Sequence, residues 1–403
     1  MVGSKMEVSA TAEVAPKKRI AIFLDGTWNT VNDNTNVWRL RALCAPKGSD
    51  GVDQAIYYNS GVGTRVGEKV RGGMFGFGLN ENIIDAYQWL IERYNEGDEL
   101  FIFGFSRGAY TARSLSGLIS KCGLLEAGAP LSVGQLYARY RLASVPRTIR
   151  ELITDRDSGK SDFTIEEQWM LKYSRPIEIK FVGVWDTVGA LGIPLAGVPG
   201  FGKSNMRFLN TGLRRTNRFA YHAMAIDEHR AAFAPTLWTM DYDPKTGPAT
   251  SRDVSEVEQR WFIGAHANVG GGYPSDVLAQ APLKWLMDKA ISHGLAFKKE
   301  VSIDGDLGPC AIADSYSEFM SGWYKPITLW KRFYRPIGED PVPAGGSVRA
   351  AINETIDATV FERWRLDANY RPPGLVSWVE RRKCQIGKLN TSVRADNPSV
   401  AVA

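Results

Sequence analysis

An α/β fold is the architecture this sequence predicts: a mostly parallel sheet with helices on both faces and with helical and loop insertions. Three observations carry that expectation. Short apolar runs recur in Ile20 to Leu24 and Leu100 to Phe103, with an apolar-rich one from Ile177 to Trp185, the pattern of strands buried on both faces. Between the early runs, apolar residues at 83, 84, 87, 90, 91 and 94 mark one face of a helix, so strand and helix alternate as in a parallel sheet. The runs also stop abruptly in turn formers, at Asp25-Gly26-Thr27-Trp28-Asn29, Gly104-Phe105-Ser106-Arg107-Gly108 and Asp186-Thr187-Val188-Gly189. In such sheets ligands collect beyond the carboxyl ends of the strands.

Taken in order, residues 1–16 read as a disordered lead, small and polar without periodicity. Residues 17–378 read as the folded domain, with insertions at about 129–175 and 301–350, and residues 379–403 as a basic mobile tail. Ala55 to Tyr58 is a second strand. The seven glycines between Gly61 and Gly78 match neither phosphate-binding glycine pattern and read as a connection or lid edge. Asn82 to Tyr94 is a helix, Leu100 to Phe103 a strand, and the segment after Ser106 a helix ending at Lys121 and Gly123. The insertion from Ala129 to Arg175 reads as helical, and Ile177 to Trp185 resumes the sheet. Asn205 to Ala225 reads as a basic helix, and Ala225 to Arg230 as a salt-bridge cluster in which His229 pairs with Asp227 and Glu228. Thr236 to Met240 and Arg260 to Ala265 are strands, and Pro282 to Ile291 is a helix with Pro at its first turn. Trp323 to Pro326 and Trp330 to Pro336 interleave aromatic and basic residues. Two readings fit them: an irregular domain edge whose aromatics pack inward, which is the expectation taken here, or a membrane-interface or single-strand binding surface.

Composition narrows the function. The 49 Lys and Arg against 44 Asp and Glu leave a net charge of +5 over 403 residues, too mild and dispersed for an obligate nucleic-acid partner. The four cysteines, Cys44, Cys122, Cys310 and Cys384, are scattered; they form neither a disulfide framework nor, with the histidines, a metal site. No cofactor is expected, and no oligomeric state follows. There is neither a signal-peptide core nor an apolar run long enough to span a bilayer. The expectation is a cytoplasmic protein, with secretion by a non-Sec route left open.

The chemistry starts at Ser106. Glycines two residues on either side let the backbone take a tight turn between strand and helix, raising the hydroxyl at the helix N-terminus. A serine nucleophile needs a base, and the chain has four histidines. His293 ends a helix, His222 lies in what reads as a helical pattern, and His229 sits among carboxylates. His266 alone follows a core strand, in the glycine-rich loop His266 to Tyr273. Asp186, at another strand end, is the acid that would orient it. The order Ser106, Asp186, His266 is that of α/β-hydrolases. Arg107 N–H would be one oxyanion donor, with Gly26 or Thr27 supplying another. Asp25, Trp28 and the apolar loop residues Leu191, Ile193 and Leu195 are candidate pocket walls.

Six stretches carry a family resemblance: LDGTWN (Leu24 to Asn29), GFSRGAYTAR (Gly104 to Arg113), VGVWDTVGALG (Val182 to Gly192), AIDEHR (Ala225 to Arg230), HANVGGGY (His266 to Tyr273) and YRPPGL (Tyr370 to Leu375). With them the chain resembles the uncharacterised α/β-hydrolase domain family that includes phospholipase effectors of bacterial type VI secretion systems. The resemblance implies a Ser-Asp-His hydrolase of carboxylic esters, a phospholipase or lipase, with Ser106, Asp186 and His266 as its triad. An ester or lipid is then the substrate, and peripheral membrane contact is compatible with it. Two rivals compete. One is a binding module that kept the fold without the chemistry. The other is a phosphatase built on Asp25-Gly26-Thr27, which Phe23 disfavours, standing where the first aspartate of such a pair belongs.

Overall fold

The computed structural model describes residues 17–26, 34–61, 75–142, 146–189, 213–243, 247–248, 252–274, 276–339, 342–344 and 347–402. In chain order the strands are β1 (Lys18–Leu24), β2 (Asp53–Asn59), β3 (Glu99–Phe105), β4 (Leu124–Leu125), β5 (Ser174–Arg175), β6 (Ile179–Trp185), β7 (Asn217–Ala225), β8 (Thr239–Asp243), β9 (Gly247–Pro248), β10 (Val257–Phe262), β11 (Val342–Ala344), β12 (Ser347–Ala351), β13 (Glu354–Ile356), β14 (Ser392–Arg394) and β15 (Ala401–Val402). The helices are α1 (Asn36–Leu43), α2 (Phe75–Arg93), α3 (Arg107–Cys122), α4 (Val133–Arg141), α5 (Ile149–Asp157), α6 (Ile165–Tyr173), α7 (His266–Gly270), α8 (Gln280–Ser292), α9 (Ser315–Glu318), α10 (Tyr324–Ile327), α11 (Ala358–Leu366) and α12 (Pro373–Arg382).

Nine strands form one sheet in the order β15-β14-β13-β10-β7-β6-β3-β1-β2. From β2 to β13 every pairing is parallel, and the β13–β14 and β14–β15 pairings are antiparallel. This is an α/β-hydrolase-like architecture. The side chains of β1 show why it forms: Ile20, Ile22 and Leu24 enter the apolar layer beneath α2 and α3, while Ala21 and Phe23 enter the layer beneath α1 and α8. Successive side chains point to opposite faces, so the run Ile20 to Leu24, apolar at every position, needs helices on both sides.

The register puts the strand ends level. Phe105 pairs with Trp185, Trp185 with Ala223, and Ala225 with Phe262. Residues 106, 186 and 226 therefore leave the sheet along one edge, and the segment after β10 reaches the same edge. The helical insertion departs from that scaffold at a narrow neck, the antiparallel pair β4 and β5. Its helices α4, α5 and α6 each start in a reciprocal capping box, Ser132 with Gln135, Thr148 with Glu151, and Thr164 with Glu167. Glu167 also binds Arg139 and Arg147.

Four expectations change. Residues 217–225 are the central strand β7, because Tyr221, Ala223 and Ala225 pack under α8 while Ala220 and Met224 enter other apolar layers; two-sided burial overrides the helical reading. The helix expected from Asn82 begins at Phe75. Residues 379–403 are not a mobile tail: α12 runs to Arg382, β14 and β15 extend the main sheet, and Trp378 Nε1 donates to the Ala395 carbonyl at 2.8 Å. The aromatics of 323–334 do not all pack inward, since Tyr324 is buried but Trp323, Leu329 and Trp330 are about 70% exposed. Residues 1–16 and 62–74 lie outside the described residues. Among those described, no helix is long and apolar enough to cross a membrane.

Candidate active site

Ser106 sits between β3 and α3 with φ 58° and ψ −121°, a left-handed conformation that costs a non-glycine residue of order 1–3 kcal/mol. The flanking glycines make the turn sterically feasible. A Cβ on Gly104 would lie 2.4 Å from the Gly108 carbonyl oxygen, and one on Gly108 would lie 2.2 Å from that of Leu24. The helix therefore closes directly onto the ends of β3 and β1. The Ser106 N–H donates to the Trp185 carbonyl at 3.1 Å, which ties the turn to β6.

Asp186 follows β6 with φ 38° and is fully buried. Its Oδ1 accepts from the Ala225 N–H at 3.1 Å and from Arg335 at 2.5 Å; its Oδ2 accepts from Arg335 at 2.9 Å and lies 2.5 Å from His266 Nδ1. Burial pushes the carboxyl pKa up, but the Arg335 charge and the bond from His266 outweigh it and hold the group well below the usual carboxylate range. Asp186 is thus ionised, and the His266 Nδ1–H is the donor between them. That leaves Nε2 as an acceptor, 2.8 Å from Ser106 Oγ.

His266 opens α7, immediately past the turn after β10. Its backbone N–H donates to Glu228 Oε2 at 3.2 Å, and its ring lies between those of Phe105 and Phe233, with centroids 4.7 and 5.0 Å away. Burial lowers its pKa from 6.5, against the opposing pull of Asp186. The glycines after it permit this seat: a Cβ on Gly270 would fall 1.9 Å from the Phe105 ring. Ser106 and His266 are both buried, 7% and 6% exposed.

The other candidates fall differently. Arg107 contributes the first residue of α3, directly after Ser106. The Gly26 N–H, expected as an oxyanion donor, instead donates to the carboxylate of the preceding residue, Asp25 Oδ1, at 2.7 Å. Asp25 is buried, and its Oδ2 accepts from the Thr35 hydroxyl at 2.5 Å and the Tyr58 hydroxyl at 3.1 Å. It builds the loop rather than presenting a polar wall. Thr27, Trp28, Leu191, Ile193 and Leu195 lie outside the described residues.

The remaining histidines serve structure. His222, in β7, is fully buried, accepts from the Thr187 N–H at 3.0 Å, and has its pKa pushed down to about 3, chiefly by burial. It steadies the turn carrying Asp186. His229 does not pair with its neighbouring carboxylates; its Nδ1 is 3.3 Å from the Phe333 carbonyl. Glu228 instead binds Arg230 through paired contacts of 2.7 and 2.8 Å. His293 caps α8 and stacks on Phe219 at 3.6 Å. The residue that sequence reasoning missed is Arg335, which carries no local signal beyond membership in an aromatic and basic stretch. Among the described residues, no three His, Cys, Asp or Glu side chains are grouped to hold a metal ion.

Residues 18–289 match the model of the family described as T6SS, phospholipase effector Tle1-like, catalytic domain. An uncharacterized protein of Saccharomyces cerevisiae, YEL023C, is 27% identical over 267 residues, covering 60% of this chain and 36% of its own length. A solved structure of the Tle1 effector bound to the VgrG spike from the type 6 secretion system aligns at 18% identity with TM-score 0.35, over 64% of this chain and 52% of that one. An uncharacterized protein from Pseudomonas aeruginosa aligns at 18% identity with TM-score 0.37, over 70% of this chain and 47% of its own. The chain thus spans about a third of the yeast relative and about half of each solved structure.

Proposed function

We propose that this chain, which belongs to the type VI secretion Tle1-like phospholipase-effector catalytic-domain family, hydrolyses carboxylic ester bonds of phospholipids through Ser106, His266 and Asp186. One observation carries the reading: the unbroken relay from Ser106 Oγ to His266 Nε2 at 2.8 Å and from Nδ1 to Asp186 Oδ2 at 2.5 Å. His266 Nε2 takes the hydroxyl proton as Ser106 Oγ attacks the carbonyl carbon. The tetrahedral oxyanion is met by the Arg107 N–H at the start of α3, and Thr27 stays the candidate for a second donor. A well-placed donor lowers the barrier by about 3 kcal/mol. Nε2 then returns the proton to the departing alcohol, leaving an acyl-serine, and a water activated by the same nitrogen releases the acid.

The lipid assignment has separate support in the exposed Trp323, Leu329 and Trp330, near Lys325 and Lys331. Aromatic side chains flanked by cations suit the interface of an anionic bilayer. Peripheral contact with lipid, and delivery by the non-Sec route that the family description names, belong to the same proposal.

The test is hydrolysis of a phospholipid panel and of short p-nitrophenyl esters, with fluorophosphonate labelling, for wild type and Ser106→Ala. Labelling and turnover are expected in wild type and absent in the variant. Equal turnover in both would remove Ser106 from the mechanism. Folded wild type that neither labels nor turns over would mark a binding module instead, and short-ester activity without lipid cleavage would overturn the substrate class. Trp330→Ala should weaken binding to anionic vesicles about tenfold while leaving soluble-ester turnover unchanged; unchanged sedimentation with vesicles would remove this surface from lipid contact.

A further inference from the structure

The chain from α10 to β11 turns from the surface into the centre of the site. Lys331 and Arg332 are exposed, yet three residues later Arg335 is fully buried. Its guanidinium donates to both oxygens of Asp186, at 2.5 and 2.9 Å, and to the carbonyls of Ala225 at 2.8 Å and Phe233 at 2.6 Å. A residue 149 positions from Asp186 thereby grips the same carboxylate that orients His266.

We propose that Arg335 is a positioning residue, whose planar fork fixes the plane of Asp186 and whose charge offsets the negative field that would otherwise favour protonated His266. The proposal rests on the triad reading above. The two-bond geometry defines orientation as well as energy, and an arginine stays charged throughout the working pH range. With Oδ1 held by the Ala225 N–H and by Arg335, and Oδ2 by Arg335 and His266, rotating the carboxylate breaks at least two bonds.

The charged groups facing His266 make the electrostatic part specific. Asp186 comes from the end of β6, Arg335 lies behind it, and Glu228 and Arg230 come from the loop after β7. Among the described residues, Ser106, Phe105 and Phe233 also lie against the ring. Glu228 and Arg230 compensate one another, so the loss of Arg335 leaves Asp186 as the uncompensated charge beside the imidazole. An ion pair between His266 and Asp186 then forms more readily, and the base stays protonated to higher pH.

The experiment is the pH dependence of fluorophosphonate labelling and of kcat/KM on a p-nitrophenyl ester, with near-ultraviolet circular dichroism to report folding. The proteins are wild type, Arg335→Met, Arg335→Lys, Asp186→Asn, and Asp186→Asn with Arg335→Met. Arg335→Met should raise the acidic limb by about one pH unit and lower the plateau by about ten- to a hundred-fold. Arg335→Lys keeps the charge but loses the fork, so the limb should stay within about 0.3 of wild type while the plateau still falls. Against the Asp186→Asn single variant, adding Arg335→Met should move the limb by less than half as much. An unmoved limb in folded Arg335→Met would overturn the proposal, as would a full shift without the Asp186 charge. If neither Arg335 variant folds, the residue belongs to the fold alone and the proposal fails equally. Absence of labelling in wild type would overturn the triad reading itself, whereas normal labelling with an unmoved limb sinks only the role of Arg335.

Discussion

Asp25 and Asp186 arise from the same sequence grammar, an aspartate immediately after a buried parallel strand and before small or β-branched residues, yet the tertiary structure uses them in opposite ways. Among the described residues, Asp25, after β1, takes bonds from the Gly26 N–H and the hydroxyls of Thr35 and Tyr58. Asp186, after β6, receives an arginine on both oxygens and the imidazole of His266 on one. The first carboxylate ties a loop to β2 and α1; the second is wired to the one histidine that reaches Ser106. A strand-end position supplies a carboxylate at the site, and its partners decide its work.

The contrast can be broken by mutation. Asp186→Asn should keep the fold and lower the rate of Ser106 acylation by about 10⁴, because the amide no longer enforces the acceptor tautomer of His266; a near-wild-type rate in single-turnover assays would place the orienting acid elsewhere. Asp25→Asn should do the reverse, costing about 1–3 kcal/mol in urea unfolding while changing the rate by less than about tenfold. Loss of rate comparable to that of Asp186→Asn would erase the distinction.

A pH titration sharpens the comparison further. Burial lowers the His266 pKa below the ordinary 6.5, so the base is neutral above a limb set below that value. Activity should fall only as pH drops through it; a limb at or above 6.5 in kcat/KM would contradict the buried geometry. The smallest effect is expected at Tyr58→Phe, which removes one donor to Asp25 and should cost about 0.5–1.5 kcal/mol of stability with rate and pH profile unchanged. A displaced pH profile would show that the two carboxylates are coupled.

Parts of the site are legible in the sequence. The turn at Ser106 is written in Gly104 and Gly108: a Cβ on Gly104 would meet the Gly108 carbonyl oxygen at 2.4 Å, a demand made within one turn of chain, whereas the 2.2 Å approach of Gly108 to Leu24 on β1 shows only in the fold. Asp186 and His266 were legible as polar residues just past buried strands, a position that the parallel sheet brings to one edge. The helical expectation for 217–225 failed because β7 packs on both faces, and a short apolar run looks alike in a buried strand and a helix. His229 failed as an ion-pair member because Arg230, with its longer reach and forked donors, holds Glu228.

By itself, then, the sequence determined what adjacent residues can enforce: the alternation of strands and helices, the strained serine turn, and the aspartate and histidine that end their strands. Only the tertiary structure decided which groups meet across long chain separations. It turned the Gly26 N–H onto Asp25, added β14 and β15 to the sheet, and set Arg335 on Asp186 from 149 residues away. The physical reason is range. Backbone sterics and burial periodicity act between neighbours and leave a local pattern, whereas a buried charge pair is selected by the shape of the finished core.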